Sequence, residues 1–379
     1  MDTADLELFR DTVKRFIREE VAPHYEQWEK AGRVPPEFYL KMGENGLLCV
    51  DQPEAYGGIG APFEFSMVVL EEVAQAGFMA LASNLSVHSD IVAPYILHLG
   101  TEEQKQDYLP RMASGECIGA IGMTEPGAGS DLANIRSRAV ADGQGGWVVN
   151  GGKTFITNGQ NAGVVCAAIK TDPERGSKGV SLMLLDTDQP GFERGRNLDK
   201  IGQHAADTSE LFFKDLAVPD GKILGRAGGG FGHMMDELPR ERLALAITAA
   251  AHARGAIERT LAYVQERKAF GQSVGQFQNT RFILARATAE MESAWAFCEK
   301  GMAKYAQGQL TPVDASMIKL VTTELENRVC DQCLQLFGGY GYMSEYPISR
   351  DFVDARIQRI YGGTSEIMQE IIARSLLGR

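Results

Sequence analysis

The sequence predicts an α+β protein in three parts: helices first, then a small antiparallel β domain, then a helical bundle. Two observations support this prediction. The spacing of apolar residues changes from helical to alternating and back to helical along the chain. The chain also has 379 residues, more than a single hydrophobic core usually serves. With 44% hydrophobic and 23% charged residues, the composition is that of an ordinary globular protein, so extensive disorder is not expected.

The first zone, residues 1–116, is predicted to be helical. Near its start, apolar residues recur three or four positions apart, which places them on one helix face, and Pro35 and Pro36 end that region. Further helices are predicted over residues 63–75 and 79–99, and Thr101 begins a shorter one. The first face consists of Leu6, Phe9, Val13, Phe16 and Ile17.

The second zone, residues 117–225, changes to short apolar or β-branched runs separated by Gly, Asn and Asp, a pattern typical of a small antiparallel β domain. The third zone, residues 226–379, returns to helical spacing, and we expect Pro239 to begin or kink its first helix. The predicted strands lie at 147–149, 154–157, 164–169, 179–185 and 211–213, and the predicted long helices at 237–264, 274–307 and 312–337.

Charge and composition exclude several classes of protein. There are 38 basic and 50 acidic residues, a formal charge of −12, which argues against nucleic-acid binding. No apolar run approaches the roughly 20 residues that span a bilayer. The charged N-terminal region argues for a cytoplasmic protein, or for one whose mitochondrial presequence has been removed. Six scattered cysteines indicate thiols in a reducing compartment, and the six histidines show no metal-binding spacing.

Five short motifs are candidates for a site that binds a nucleotide and a planar ring. Glycine-rich turns and helix N-termini bring backbone N–H groups close to an anion, and arginine binds pyrophosphate with two donors. Each motif alone also has an ordinary structural interpretation as a turn, a hairpin or a helix cap. The motifs lie at residues 123–131, 151–159, 267–271 with Gln278, 335–342 and 361–366.

Together, and in this order, the motifs resemble those of the acyl-CoA dehydrogenase family over essentially the whole chain. The resemblance implies a C-terminal four-helix bundle, bound FAD, a homotetramer, and an electron-transfer flavoprotein that accepts the electrons. Within the family, residues 239–243 and 356–373 look most like the long-chain branch.

The resemblance also implies which residues contact FAD. The first glycine-rich segment embraces the flavin, and the strand end at Phe155, where many relatives have Trp, packs on the ring. Arginine and glycine motifs of the bundle then reach the pyrophosphate and adenine, in the family partly across a subunit boundary. The implied cofactor residues are Ala120, Ile121, Gly122, Met123, Thr124, Gly129, Ser130, Phe155, Ile156, Thr157, Arg267, Phe270, Gln278, Gln335, Leu336, Phe337, Gly338, Gly339, Thr364, Ser365 and Glu366.

The position of the catalytic base departs from the commonest family pattern. Many members carry a Glu directly after the Tyr of the last motif, where this chain has Gly362. The long-chain and isovaleryl-CoA branches use a Glu followed by Arg-Leu on a bundle helix, which matches Glu241 here, and Glu237 is the rival carboxylate one turn away. The residues implied to line the substrate site are Ser130, Pro239, Arg240, Arg242 and Gly363.

The predicted function is FAD-dependent α,β-dehydrogenation of a medium-to-long or branched acyl-CoA thioester to trans-2-enoyl-CoA. An acyl-CoA oxidase is one alternative, although such chains are typically longer at the C-terminus. Nitroalkane oxidation would favour an Asp at position 362. A catalytically inert flavin- or CoA-binding member of an assembly is a third alternative, for which Gly362 is the one supporting feature.

Overall fold

The computed structural model describes residues 3–378, so the expected domain limits at residues 1 and 379 lie outside the described residues. Helices come first, a β-sheet follows, and helices form the remainder, which confirms the predicted fold class. The division after residues 116 and 225 stays a prediction.

Seven α-helices in the described residues form the N-terminal part. The predicted helix over residues 79–99 is continuous but contains a π-helical stretch, Ser86–Val92, of the kind often found near functional sites. The side chains of Thr101 and Gln104 cap the start of the next helix reciprocally. The helices are α1 (Thr3–Phe16), α2 (Tyr25–Ala31), α3 (Pro36–Glu44), α4 (Phe63–Gln75), α5 (Met79–Leu85), α6 (Ala93–Leu99) and α7 (Glu102–Ala113).

The middle part is an eight-stranded sheet, mostly antiparallel, in the order β6-β7-β3-β2-β4-β5-β8 with β1 paired to β4. Two pairs are parallel, β1 with β4 and β2 with β4, because the chain between them returns to the same end of the sheet. The strands are β1 (Gly119–Gly122), β2 (Arg138–Ala141), β3 (Gly146–Thr157), β4 (Val164–Lys170), β5 (Val180–Asp186), β6 (Phe192–Asn197), β7 (Thr208–Pro219) and β8 (Ile223–Leu224).

Alternation along β4 divides its side chains between two hydrophobic cores. Val164, Cys166 and Ala168 belong to a large core shared with the helices. Val165 and Ala167 belong to a second core on the other face of the sheet. Since side chains on a strand alternate in direction, this register places Cys166 on the face that meets the long helix described next.

Long helices build the C-terminal part, with α8, α9, α10 and α12 packed together and α11 against α8 and α10. We expected Pro239 to begin or kink the first of them. A start at Pro239 is wrong, because α8 begins at Gly230 and continues through the buried Pro239, while a kink there stays a prediction. An interior proline costs about 3 kcal/mol, which the burial of this helix offsets. The elements are α8 (Gly230–Glu266), β9 (Lys268–Ala269), β10 (Gln272–Ser273), α9 (Gln278–Ala306), α10 (Pro312–Phe337), α11 (Pro347–Ala355) and α12 (Ser365–Leu377).

Candidate active site

The segment expected to embrace the flavin follows β1 and is held by a buried ion pair. Nζ of Lys153 lies 2.8 Å from Oε1 of Glu125 and donates to the carbonyl oxygens of Met123 and Ala168. The carbonyl of Thr124 accepts from the backbone N–H of Thr154 at 2.9 Å. The ion pair and this backbone bond therefore fix the segment against β3 and β4, with Gly129 and Ser130 exposed just beyond it.

At the end of β3, Phe155 presents its ring to solvent. The residue has a φ of +59° at an irregularity in the pairing of β3 with β7, and its side chain is 67% exposed. A non-glycine residue in the left-handed region is strained, and such strain is often found at functional sites. Ile156 differs from the expectation, because its side chain is buried in the core of the sheet and only its backbone can face a ring. Thr157 is half-buried.

A groove of about 520 Å³ joins the arginine motif to the glycine motif at the end of α10. Arg267 lines it, with its guanidinium carbon 5.2 Å from the centre of the Tyr340 ring. Phe270 is 97% exposed and Gln278 begins α9, and neither lines this groove. The groove is lined on its other side by Gln335, Leu336, Phe337, Gly338 and Gly339.

The last motif leads into α12. Thr364 caps this helix by accepting a hydrogen bond from the N–H of Ile367, and Ser365 donates to Glu324 at 2.5 Å. The hydrogen bond from its own backbone N–H lowers the pKa of the exposed Glu366. The hydroxyl groups of Thr364 and Ser365 are therefore both engaged in hydrogen bonds within the protein.

The two glycines before this cap are held by cations. Nε of Arg242 donates to the carbonyl of Gly362 at 3.2 Å, and Nζ of Lys319 donates to the carbonyl of Gly363 at 2.7 Å. Gly362 has a φ of +65°, and a Cβ built there would lie 2.4 Å from Cδ1 of Leu245. Leu245 thus fills the space where a side chain at position 362 would begin.

Glu241 lies on α8 one turn before Leu245, so the two side chains share a helix face. The carboxyl group is buried, at 6% exposure, and Tyr95 on α6 donates to its Oε1 at 2.9 Å. Burial raises the pKa of Glu241 to about 7, the hydrogen bond from Tyr95 lowers it, and the charge of Glu237 raises it. A buried carboxyl group with such a pKa is a candidate for a general base near neutral pH.

The sheet brings Glu241 close to the flavin segment. Burial raises the pKa of the Cys166 thiol on β4 to about 12, and the nearby Glu241 charge contributes to the shift. In the register of the sheet, Cys166 pairs with Ile121 of β1. The charge of Glu241 therefore acts on β4, the strand that pairs with β1 at the start of the segment 120–124.

The other charged residues around Glu241 are engaged in structural contacts. Glu237 accepts from His98 at 2.8 Å at the rim of the helix pair. Arg240 was expected to line the substrate site, but its guanidinium is buried against Asp51, at 2.8 Å, and Asp90. This pairing favours a structural role for Arg240, while Arg242 turns towards the glycine pair.

Sequence reasoning missed Tyr95, Lys153 and Lys319 as contributors to the site. Lys153 lies inside the motif at residues 151–159, close to the apolar pair Phe155 and Ile156, so its position in that motif was a usable signal. Tyr95 and Lys319 carry no such signal, because their partners Glu241 and Gly363 are far away in the sequence.

The residues gathered here fit FAD. A Cβ at Gly127, Gly129, Gly338 or Gly339 would meet nothing within 4 Å, so these backbones are open to a ligand. The exposed Phe155 offers a ring face, and Arg267 offers a planar donor for pyrophosphate. Among the described residues there is no group of three or more His, Cys, Asp or Glu that could hold a metal ion. Across residues 3–378, no helix combines the length and apolar character needed to cross a bilayer.

Comparison with known proteins identifies the family. Models of the acyl-CoA dehydrogenase N-terminal, middle and C-terminal domains match residues 3–116, 120–216 and 228–377. The mitochondrial long-chain specific acyl-CoA dehydrogenase of Sus scrofa is 45% identical over 377 residues, which cover 99% of this chain and 87% of that protein.

Solved structures agree with this assignment. An acyl-CoA dehydrogenase from Geobacillus kaustophilus has a TM-score of 0.96 and 45% identity, covering 99% of this chain and 98% of that one. A glutaryl-CoA dehydrogenase from Mycobacterium smegmatis, in complex with FADH2, has a TM-score of 0.93 and 30% identity, covering 100% of this chain and 96% of that one. The chain therefore belongs to the acyl-CoA dehydrogenase family, whose members are FAD-dependent oxidoreductases that act on CH–CH bonds.

Proposed function

We propose that the protein oxidises a medium-to-long or methyl-branched acyl-CoA thioester to trans-2-enoyl-CoA, with Glu241 as the base. The observation that carries this proposal is the environment of Glu241. Its carboxyl group is buried, its pKa is raised to about 7, and it lies on the helix face that packs against Gly362. An inert binding protein has no need to bury a carboxyl group at this cost.

The chemistry requires a base because the α-proton of a thioester is weakly acidic. FAD, when bound, supplies the acceptor for the hydride that leaves the β-carbon. Glu241 takes the α-proton onto a carboxylate oxygen, and its dry surroundings make the carboxylate a stronger base than it would be in water. Arg242 and Lys319 fix the Gly362–Gly363 turn by donating hydrogen bonds to the carbonyl oxygens of the two glycines.

The choice of substrate rests on the position of the base and on the long-chain relative from Sus scrofa. We further propose an electron-transfer flavoprotein as the electron acceptor and a homotetramer as the assembly. Exposed aromatic side chains on the C-terminal part, Phe270 at 97% and Phe282 at 62%, support burial by a further copy of the chain. All six cysteines are buried free thiols, which supports a reducing compartment, either a cytoplasm or a mitochondrial matrix.

The test is flavin bleaching without oxygen. The FAD-loaded protein is mixed with medium-chain, long-chain and methyl-branched acyl-CoA thioesters, and flavin absorbance is followed by stopped flow. We expect bleaching with at least one of them, and Glu241→Gln should keep FAD but slow bleaching by about 10²–10⁴-fold, the usual contribution of a general base.

Glu237→Gln is the matched control, since it removes a carboxylate one turn away on the same helix. We expect this variant to bleach at a rate close to that of the wild type. If Glu241→Gln keeps its activity and Glu237→Gln loses it, the base is Glu237. A wild-type protein that no acyl-CoA bleaches would refute the dehydrogenase function.

A further inference from the structure

Tyr95 and Glu241 form a buried contact between α6 and α8. The phenol of Tyr95 is 0% exposed and donates to Oε1 of Glu241 at 2.9 Å. The same two helices meet again three residues further along α6, where His98 binds Glu237. The Tyr95–Glu241 contact is buried, whereas the His98–Glu237 contact is partly open to solvent, because the side chain of His98 is 44% exposed.

Within residues 3–378, the side-chain hydrogen bond that Glu241 receives comes from Tyr95. On α8 itself, Arg240 is turned to Asp51 and Asp90, and Arg242 to the carbonyl of Gly362. On β4, the charge of Glu241 acts on the thiol of Cys166, whose pKa is raised to about 12 mainly by burial, so the thiol stays protonated. Glu237 adds negative charge and no donor. The phenol therefore has no substitute among the groups that surround this carboxylate in the described residues.

We propose that Tyr95 is the positioning residue for the base: its hydroxyl holds Oε1 of Glu241 and leaves Oε2 as the oxygen that accepts the substrate's α-proton. This inference rests on the proposed function of Glu241. A carboxylate held at one oxygen has one rotamer available for catalysis, whereas an unheld one has several.

The contact also affects the ionisation of Glu241. Burial and the charge of Glu241 raise the pKa of Tyr95 well above its usual value, so the phenol stays protonated and donates. A donor stabilises the ionised carboxylate and not the neutral acid, so Tyr95 opposes the effect of burial on Glu241. Without the hydroxyl, a larger fraction of Glu241 carries a proton at neutral pH and does not act as a base.

The test is Tyr95→Phe, which removes one oxygen and keeps the ring. We expect the acid limb of the kcat/KM profile for bleaching to move up by about 1–2 pH units, the shift that corresponds to losing one hydrogen bond to a charged group. At about pH 7 the rate should fall by about 5- to 50-fold, since that shift leaves about 9% to 1% of Glu241 ionised, and raising the pH should restore much of it.

Tyr108→Phe is the matched control. Tyr108 on α7 is also buried, at 1% exposure, and its hydroxyl donates at 2.6 Å to a carboxylate outside the candidate site, Asp186 at the end of β5. This variant loses the same kind of bond, so a general loss of stability would affect both variants alike. Only Tyr95→Phe should shift the pH profile.

A second readout does not need catalysis. The carboxyl stretch of Glu241, taken as the infrared difference between wild type and Glu241→Gln, should titrate at higher pH in the Tyr95→Phe background. An unchanged titration and an unchanged acid limb would overturn the role of Tyr95. If the titration of Glu241 shifts but the protein oxidises no acyl-CoA, the proposed function is refuted, while the effect of Tyr95 on the ionisation of Glu241 is confirmed.

Discussion

A side chain at position 362 is expected to destabilise the protein, because Leu245 already fills the space beside Gly362. Gly362 has a φ of +65°, and a Cβ there would lie 2.4 Å from Cδ1 of Leu245. The left-handed conformation costs a residue with a side chain about 1–2 kcal/mol, and overpacking a core costs about 1–3 kcal/mol. Because Cδ1 is the free end of a side chain and yields slightly, we expect Gly362→Ala to lower the free energy of unfolding by about 2–4 kcal/mol.

Urea unfolding of the FAD-loaded protein, followed by flavin and tryptophan fluorescence, measures this loss. Gly308→Ala is the control, since Gly308 has a φ of +66° and its Cβ would meet nothing within 4 Å. Gly308→Ala should lower the free energy of unfolding only by the cost of the left-handed backbone conformation, about 1–2 kcal/mol. Adding Leu245→Ala to Gly362→Ala removes the clash, so the double-mutant cycle should give a favourable coupling of about 1–3 kcal/mol.

The reasoning fails if Gly362→Ala costs no more than Gly308→Ala and the cycle gives no coupling. In that case Leu245 would not exclude a side chain at position 362, and the location of the base would need another explanation. If the coupling is found, one helix face explains both observations. It carries Glu241, and one turn further along it carries the side chain that blocks the alternative position.

Two further predictions concern pH and the flavin segment. Under the proposed function the ionised form of Glu241 acts as the base, and burial raises its pKa to about 7, so kcat/KM for bleaching should rise about tenfold between about pH 6 and pH 8. An acid limb near the ordinary value of 4.5 would contradict the burial argument. Lys153→Met leaves Glu125 buried without its cation, which costs about 3–5 kcal/mol, so the flavin-to-protein absorbance ratio after gel filtration should fall; a wild-type ratio would show that this ion pair does not hold the segment.

Local patterns in the sequence predicted the long elements well. The predicted helices over residues 63–75 and 312–337 agree with α4 (Phe63–Gln75) and α10 (Pro312–Phe337), because a proline marks each start: Pro62 precedes α4 and Pro312 opens α10. The edge strand β6 was missed, since it is short and largely exposed and so has no apolar alternation. Pro239 misled the prediction because packing around α8 overrides the local preference of one residue.

The site was predictable where its residues are close in sequence, and not where they meet through the fold. Arg242 and Glu241 follow from one motif, but the partner that occupies Arg240 is Asp51, from the first helical zone. Tyr95 is likewise separated from Glu241 by the end of the N-terminal part and the whole sheet. Such contacts depend on how the domains pack against each other, and this packing cannot be predicted from the spacing of residues within one segment.

Glu241, the proposed base, and the segment after β1, the proposed flavin segment, are held by different structural elements on either side of β4. Glu241 is fixed within α8 and tied by Tyr95 to α6, while the segment after β1 is tied to β3 and β4 by Lys153. Cys166 lies where these two systems meet, on the helix side of β4 and opposite Ile121. The carboxyl group of Glu241 is therefore positioned by packed helices, and the loop after β1 is positioned by its bonds to paired strands. The proposed base on α8 is attached to a continuous helix. The alternative position, in the Gly362–Gly363 turn, has two residues with positive φ, so a carboxylate there would be positioned less precisely.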